Sequence, residues 1–396
     1  MYSNFSATDA ALGYLYQVRL ALLSALKRLA RNEVFAVYFE TLDDVVFDRD
    51  GVAPELLQLK HHCERAANLT DASSDLWKSF RVWMEGRANG SIPEDSRLYL
   101  ITTSSVGIGS SASYLMLENR NEDEALKLLN GTVATSRSKT NQPAYDLFRS
   151  LSRNDQSALI SSITIFPNAP DISEVSEALR VEARLVVRRN HLDSFLTRLE
   201  GWWYRRTIAQ LTSSDITNPI LSNEIESTVD DLREQFKSDA LPVDQDILEM
   251  EIDFSAYGDR IFVQQVRLAG IGNRRILAAI RDYYRAFEQR SRWVREDLLL
   301  IGELDSYERL LREEWELQFD RVADEVGDEV AEDAKRVAAQ AVYTWVEETC
   351  YPIRPQVSHP SITRGSFHIL SDRLKVGWHP EFMHRLQKVL EPQGVS

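Results

Sequence analysis

The stretch VFAVYFETLDDVVFDRDGVAPELLQLKHH (residues 34–62) alternates β-branched and aromatic runs with turn residues. Residues 34–39 and 44–47 are predicted to form strands, because β-branched and aromatic residues fit a pleated, half-buried surface, and residues 55–60 are predicted to form a third strand. Between the second and third runs lies the turn sequence DRDG, in which Gly51 suits a positive φ. The stretch therefore predicts neighbouring strands joined by a short hairpin.

The flanking residues complete a mixed α/β pattern and then change to a helical one. Helical spacing of apolar residues predicts helices at residues 8–30 and 73–88, and strands are predicted at 97–103 and 161–167. Residues 173–212, 272–319 and 322–348 are predicted to be mostly helical, followed by strand-like runs at 366–370 and 374–378. We therefore expect an α/β domain over residues 1–165. A mainly α-helical domain with a small β element near its end is expected over residues 166–396.

Composition and charge restrict the class of protein. The chain has 396 residues, a net charge of −15 and two cysteines, Cys63 and Cys350, that form no CxxC pair. No run approaches the ~18 consecutive apolar residues of a membrane span, and the first residues lack a signal-peptide pattern. We expect a cytoplasmic protein with no membrane association. The charge is −3 over residues 1–150 and −12 over the remainder, which indicates a protein partner mainly for the second part.

Polar residues in the second and third predicted strands form a candidate catalytic site. Gln58 and Lys60 lie two apart on one strand and so point to the same face, and Asp44 opens the neighbouring strand. Carboxylate and amide oxygens suit Mg²⁺ or Mn²⁺, and a lysine supplies a fixed cation for a developing phosphate charge. We assign Asp44 as the principal metal ligand, Gln58 as the second ligand with the Leu59 carbonyl, and Lys60 as the transition-state cation. Glu40 and Asp43 are candidates for an outer ligand or a second metal site.

Three sequence strings resemble a known nuclease family: GYLYQ (13–17), ETLDDVVF (40–47) and LLQLKHH (56–62). They are similar to the double-stranded-DNA nuclease domain of CBASS effector endonucleases, within the PD-(D/E)xK superfamily. The resemblance covers about residues 1–110. It implies a restriction-endonuclease-like fold and metal-dependent cleavage of double-stranded DNA. Gln58 replaces the usual acidic residue, as in the Mrr-like branch.

The alternative is a non-catalytic DNA-binding or scaffold subunit with a degenerate nuclease fold, favoured by Gln58 and by the acidic charge. Two interpretations also remain open for each of Gln17, His61 and His62. Gln17 is expected either to contact the active-site edge or to pack, and His61 and His62 either to contact phosphate or to be solvated.

The tail string RPQVSHPSITRGSFHILSDRLKVGWHPEF (354–382), with LEGWWYRR (199–206), resembles the C-terminal region of effectors in ABC-three-component defence systems. Joined to a nuclease domain, it is similar to the nuclease subunit of a Lamassu-type system. The resemblance implies an SMC- or RecF-like ABC ATPase and a middle-component subunit as partners that restrain the nuclease. It also implies a homo-oligomer, dimer or tetramer, in the active state.

Overall fold

A computed structural model describes residues 7–41, 43–61, 68–213, 218–326 and 331–390. Their contacts divide the chain into two compact units. Unit 1 comprises the described residues within 1–186 and 192–231, and unit 2 those within 187–191 and from 232 onward.

Unit 1 surrounds one mixed β-sheet with helices. Its elements are α1 (Ala7–Leu29), β1 (Ala36–Phe39), β2 (Val45–Arg49), β3 (Val52–Lys60), β4 (Asn68–Leu69), α2 (Ser74–Ala88), β5 (Arg97–Thr102), β6 (Ser105–Val106), α3 (Glu122–Thr135), α4 (Gln142–Ser150), α5 (Arg153–Ser162), β7 (Ile163–Phe166), α6 (Ile172–Ala183), α7 (Leu192–Thr212), β8 (Ile220–Leu221) and α8 (Ser222–Gln235), whose last residues belong to unit 2.

The main sheet has the strand order β7-β5-β3-β2-β1-β8. Strands β1, β2 and β3 form an antiparallel meander, and β8 adds to its edge in antiparallel fashion. Strands β5 and β7 continue the sheet parallel to β3. Gly51 lies in the β2–β3 turn with φ of +72°, which confirms the conformation predicted for it. The predicted strands and the two predicted helices of this unit are confirmed, with ends shifted by a few residues.

Each face of the sheet carries its own helices. Leu56, Leu98 and Ile163 are register neighbours on one face, where they pack with Trp77, Trp83 and other buried residues of α2 to α5. The opposite face meets α1 and α7. There the ring of Phe47 lies under the guanidinium of Arg28 from α1, and Phe39 contacts Trp203 from α7. Because helices cover both faces of the sheet, the strand sequences are nearly continuous runs of apolar residues.

The contacts of unit 1 extend beyond the boundary predicted at residue 165. Trp203 of α7 is fully buried and donates a 2.8 Å hydrogen bond from Nε1–H to the carbonyl oxygen of Val18 in α1. Arg19 of α1 forms an ion pair with Glu200 of α7 at 2.8 Å. Strand β8 extends the main sheet. These links place the described part of α6, α7 and β8 with the sheet, because they cover it and share its buried surface.

Among its described residues, unit 2 contains helices and their connecting loops but no strand. Its elements are α9 (Gln245–Glu249), α10 (Ile261–Leu268), α11 (Asn273–Arg295), α12 (Glu303–Val326), α13 (Glu332–Glu348), α14 (Pro360–Asp372) and α15 (Phe382–Leu390). One apolar core, with members from Phe262 to Leu386, joins helices α10 to α15. Within the ranges given above, no helix has the length and apolar content needed to cross a bilayer.

The small β element predicted near the end of the chain is wrong. Residues 366–370 lie inside helix α14, and residues 374–378 form no strand. Helix α14 begins at Pro360, and the His359 side chain accepts a hydrogen bond from the Ser361 backbone N–H as its N-cap. Nearly every residue of α14 is buried. A helix buried all round lacks the one-sided apolar period that distinguishes helix from strand.

Candidate active site

The candidate site lies where β2 begins and β3 ends. The register pairs Val45 with Leu57, and its continuation by one residue sets Asp44 opposite Gln58. Lys60, the last residue of β3, pairs with Thr102 of the parallel strand β5. Side chains two apart on a strand share a face, so Gln58 and Lys60 point to the α2 side together with Leu56. The hairpin brings the predicted residues to one edge of the sheet.

The carboxylate of Asp44 is anchored to the backbone of β3. Its Oδ2 accepts a 2.7 Å hydrogen bond from the Leu59 N–H. This bond fixes the acid beside the segment that carries Gln58 and Lys60. Oδ1 is then the oxygen with which Asp44 would bind a metal ion. Gln58 is buried, with 5% of its surface exposed, and Lys60 is half-buried.

Asp43 is held more firmly than Asp44. Its Oδ2 accepts a 2.7 Å hydrogen bond from Trp83 Nε1–H, and its Oδ1 accepts one of 3.0 Å from the Asp44 N–H. Burial is the main cause that raises the Asp43 pKa to about 7, and the charge of Asp44 adds to it. The Trp83 hydrogen bond and the charge of Lys60 act in the opposite direction. With both oxygens engaged, Asp43 is placed to position the turn.

The charges of Asp44 and Lys60 also act on the pKa of Glu40. Burial raises its pKa, the charge of Asp44 raises it further, and the charge of Lys60 lowers it. Its backbone adopts a positive φ of 50°, and its N–H donates to the Asp44 carbonyl oxygen at 3.3 Å. A non-glycine residue in this conformation carries local strain, which concentrates at functional sites. The charges of Asp44 and Lys60 thus act on the pKa of both Glu40 and Asp43.

Two residues near the site were not singled out in the sequence. Trp83 supplies the donor to Asp43, although its position in an amphipathic helix signals only a core residue. Tyr14 lies near Glu40, since the charge of Glu40 adds to burial in raising the phenol pKa of Tyr14. Tyr14 belongs to the GYLYQ string, so the resemblance gave a signal for it.

The remaining candidates take up different positions. His61 lies on the other face of β3, where its ring contacts that of Tyr16 at 4.6 Å and its Nε2 accepts a 3.4 Å hydrogen bond from the Ile172 N–H. This packing favours a structural role over a solvated one. Gln17 is half-buried on α1. His62 lies outside the described residues, as does Leu42 between Glu40 and Asp43.

The donor set resembles an oxygen site for a hard cation only in part. Among the described residues, no three His, Cys, Asp or Glu side chains are grouped so that they could hold a metal ion. The predicted set combines the carboxylates of Asp44 and Glu40 with the Gln58 amide and the Leu59 carbonyl. Such a mixed set suits Mg²⁺, which keeps several waters and needs few protein ligands.

Comparison with protein families gives one match. Residues 262–386 match the family described as C-terminal domain 7 of the ABC-three component (ABC-3C) systems. The match indicates that the chain is a component of an ABC-three component defence system. The matched segment runs from α10 into α15, within unit 2. This match confirms the association predicted from the tail, and such systems contain further components. No curated protein matches the chain.

Proposed function

We propose that this component is a metal-dependent DNA endonuclease, the effector of its ABC-three component system. The observation that carries the proposal is the anchoring of Asp44 to the Leu59 N–H at 2.7 Å, at the end of the strand that carries Gln58 and Lys60. A mixed sheet with an antiparallel β1-β2-β3 meander, followed by parallel β5 and β7, also suits a restriction-endonuclease-like fold.

Each residue has a role that follows from its surroundings. Asp44, Gln58 and Glu40 would hold Mg²⁺ or Mn²⁺ together with the Leu59 carbonyl. The ion would lower the pKa of a bound water and stabilise charge on the phosphate oxygens. Lys60 orients the phosphate through a fixed positive charge. Asp43 keeps the turn in place through Trp83, so that Asp44 meets β3.

The helical unit supports the regulatory half of the proposal. Residues 262–386 carry the family match, and residues 151–396 carry most of the negative charge. We assign this unit to docking on partner subunits, an SMC- or RecF-like ABC ATPase and a middle component, as in a Lamassu-type system. The nuclease is restrained in that complex. It acts on double-stranded DNA after release, as a homo-oligomer that brings two sites to two strands.

The direct test is cleavage of a supercoiled plasmid by the full chain with Mg²⁺. Lys60→Ala and Asp44→Asn should each lower the cleavage rate at least about 100-fold, because the first removes the cation aimed at the reacting phosphate and the second removes the charge of the principal metal ligand. Lys78→Ala removes an exposed lysine of α2 and is the matched control, with cleavage unchanged. Equal cleavage by the wild type and Lys60→Ala would overturn the proposal, as would the absence of cleavage by the assembled oligomer.

A non-catalytic DNA-binding or scaffold subunit is the second candidate function. It is favoured by the absence, among the described residues, of a three-residue His, Cys, Asp or Glu group, and by Gln58 in place of an acid. This candidate predicts DNA retention without strand breaks, equal in the wild type and Lys60→Ala. Gel-shift and cleavage assays on the same samples distinguish the two functions.

A further inference from the structure

A groove lies on the face of the main sheet opposite to Lys60. A groove of about 540 Å³ opens between one side of α1 and the faces of β3, β5 and β7. Leu57, Tyr99 and Ile101 form its floor with Phe166. Leu57 and Tyr99 are register partners on the face opposite Gln58, so the groove is separate from the candidate active site. Its volume falls within the range of small-ligand sites.

The rim of this groove is basic in a chain of net charge −15. Lys27, Arg28, Arg31 and Arg49 line it together with the carboxylates of Glu33 and Glu55. Glu55 is buried and pairs with Arg28 at 2.6 Å and with Arg49 at 3.0 Å. Arg49 also pairs with Glu33 at 3.0 Å.

These ion pairs neutralise Arg28 and Arg49. They do not involve Lys27 or Arg31. Lys27 and Arg31 are exposed, and within the described part of the chain neither side chain has an ion pair. Both line the groove, Lys27 from the last turn of α1 and Arg31 from the turn that follows this helix. As far as the described residues go, the rim therefore offers two cations that no carboxylate neutralises.

The floor of the groove is aromatic and only partly covered. The rings of Tyr99 and Phe166 meet edge to face with centroids 5.5 Å apart, and both side chains are half-buried. A planar ring can pack on such a surface, and base–aromatic stacking is tolerant of base identity. Burial raises the pKa of the Tyr99 phenol, and the charge of Glu55 adds to that shift. Tyr99 therefore presents a neutral ring.

We propose that this groove binds a nucleotide, with its base against Tyr99 and Phe166 and its phosphate at Lys27 and Arg31. An aromatic floor below free cations matches a ligand with one planar apolar part and one anionic part. Inorganic phosphate would use the rim alone, and an apolar ligand the floor alone. The nucleoside phosphate can come from a free nucleotide or from a nucleic-acid single strand, which share this chemistry.

Binding is measured by calorimetric titration of the full chain with ATP, adenosine, pyrophosphate or a single-stranded dT oligonucleotide. EDTA is present, so that the metal-dependent site is inactive. Lys27→Gln with Arg31→Gln should weaken ATP binding at least about tenfold, because two charge-assisted contacts are lost. Lys78→Gln with Lys139→Gln removes the same charge from exposed positions elsewhere in unit 1 and should leave the affinity unchanged. Lys60→Ala should also bind like the wild type.

Phe166→Leu tests the floor. It should weaken ATP binding about tenfold through lost stacking and leave pyrophosphate binding unchanged, which also shows that the variant is folded. Tighter binding of ATP than of the oligonucleotide identifies a free nucleotide as the ligand, and the reverse identifies a single strand. The proposal is overturned if the wild type binds neither, if the two double variants lose affinity equally, or if pyrophosphate binds as tightly as ATP.

Discussion

The indole N–H of Trp83 donates a 2.7 Å hydrogen bond to the carboxylate of Asp43 inside unit 1. Trp83 is fully buried and Asp43 is 8% exposed, so water does not compete for this bond. The bond joins the packed face of α2 to the turn that carries Asp44. A core residue therefore controls the position of the candidate metal ligand.

The first prediction concerns the pH dependence of stability. The Asp43 pKa is about 7 in the folded chain against an ordinary value of 3.8, so the folded state holds a proton that the unfolded state loses. Stability contributed by this group is present below about pH 4 and is lost as pH rises to about 7. Asp43→Asn should flatten a slope of up to about 1.4 kcal/mol per pH unit over that window.

Urea unfolding of the wild type and Asp43→Asn at several pH values measures this slope. Asp48→Asn, which removes an exposed carboxylate from β2, controls for the loss of one acidic group. A slope in Asp43→Asn equal to that of the wild type contradicts the prediction.

The second prediction compares the effects of replacing two tryptophans of α2, Trp83 and Trp77. Both are fully buried in α2, and each donates one 2.7 Å hydrogen bond, Trp77 to the Asp71 carbonyl oxygen. Trp83→Phe and Trp77→Phe should each destabilise unit 1 by about 2 kcal/mol through lost volume and one lost bond. Only Trp83→Phe should raise the Asp43 pKa further, because the lost bond favours the carboxylate.

The measurement is again unfolding as a function of pH. In Trp83→Phe the loss of stability should continue above pH 7, and in Trp77→Phe it should not. Identical pH profiles for the two variants would show that the Trp83 bond does not govern Asp43.

The third prediction tests the close contact between α11 and α14 in unit 2. A Cβ at Gly365 in α14 would overlap the carbonyl oxygen of Asp282 and lie 2.5 Å from the Cβ of Ala286, both in α11. Gly365→Ala should therefore destabilise unit 2 by about 3 kcal/mol. Gly131→Ala is the control, because a Cβ there meets nothing within 4 Å in α3. It should stabilise the chain by about 0.5–1 kcal/mol. Chemical denaturation measures both, and equal effects would refute the close-packing argument.

The fourth prediction concerns a buried arginine. Arg354 is 8% exposed, pairs with Glu303 at 2.7 Å and donates to the carbonyl oxygens of Ala240 and Leu298. Arg354→Met should cost about 3–5 kcal/mol, because Glu303 and two carbonyls lose their partner. Arg312→Met breaks only the 3.7 Å pair with Glu316 on an exposed helix surface and should cost less than about 0.5 kcal/mol. Equal shifts of the denaturation midpoint in Arg354→Met and Arg312→Met would show that the buried contacts of Arg354 do not stabilise unit 2 more than an exposed ion pair does.

The sequence by itself determined the local elements of the sheet and the candidate site. The β-branched and aromatic run VVF favours a strand, and Gly51 suits the turn that follows it because its φ is positive. A two-residue spacing on one strand fixes Gln58 and Lys60 on the same face. The tail also carried enough of its family pattern for the ABC-three component association to be predicted.

Only the tertiary structure decided features that depend on residues far apart in the chain. Residues 366–370 belong to helix α14 and not to the predicted strand, because burial on all sides removes the helical period, and the extent of unit 1 depends on Trp203 reaching Val18. The Trp83 bond to Asp43 and the basic groove above Tyr99 join segments distant in sequence. No local pattern records such contacts, because burial and charge compensation arise only when the elements pack together.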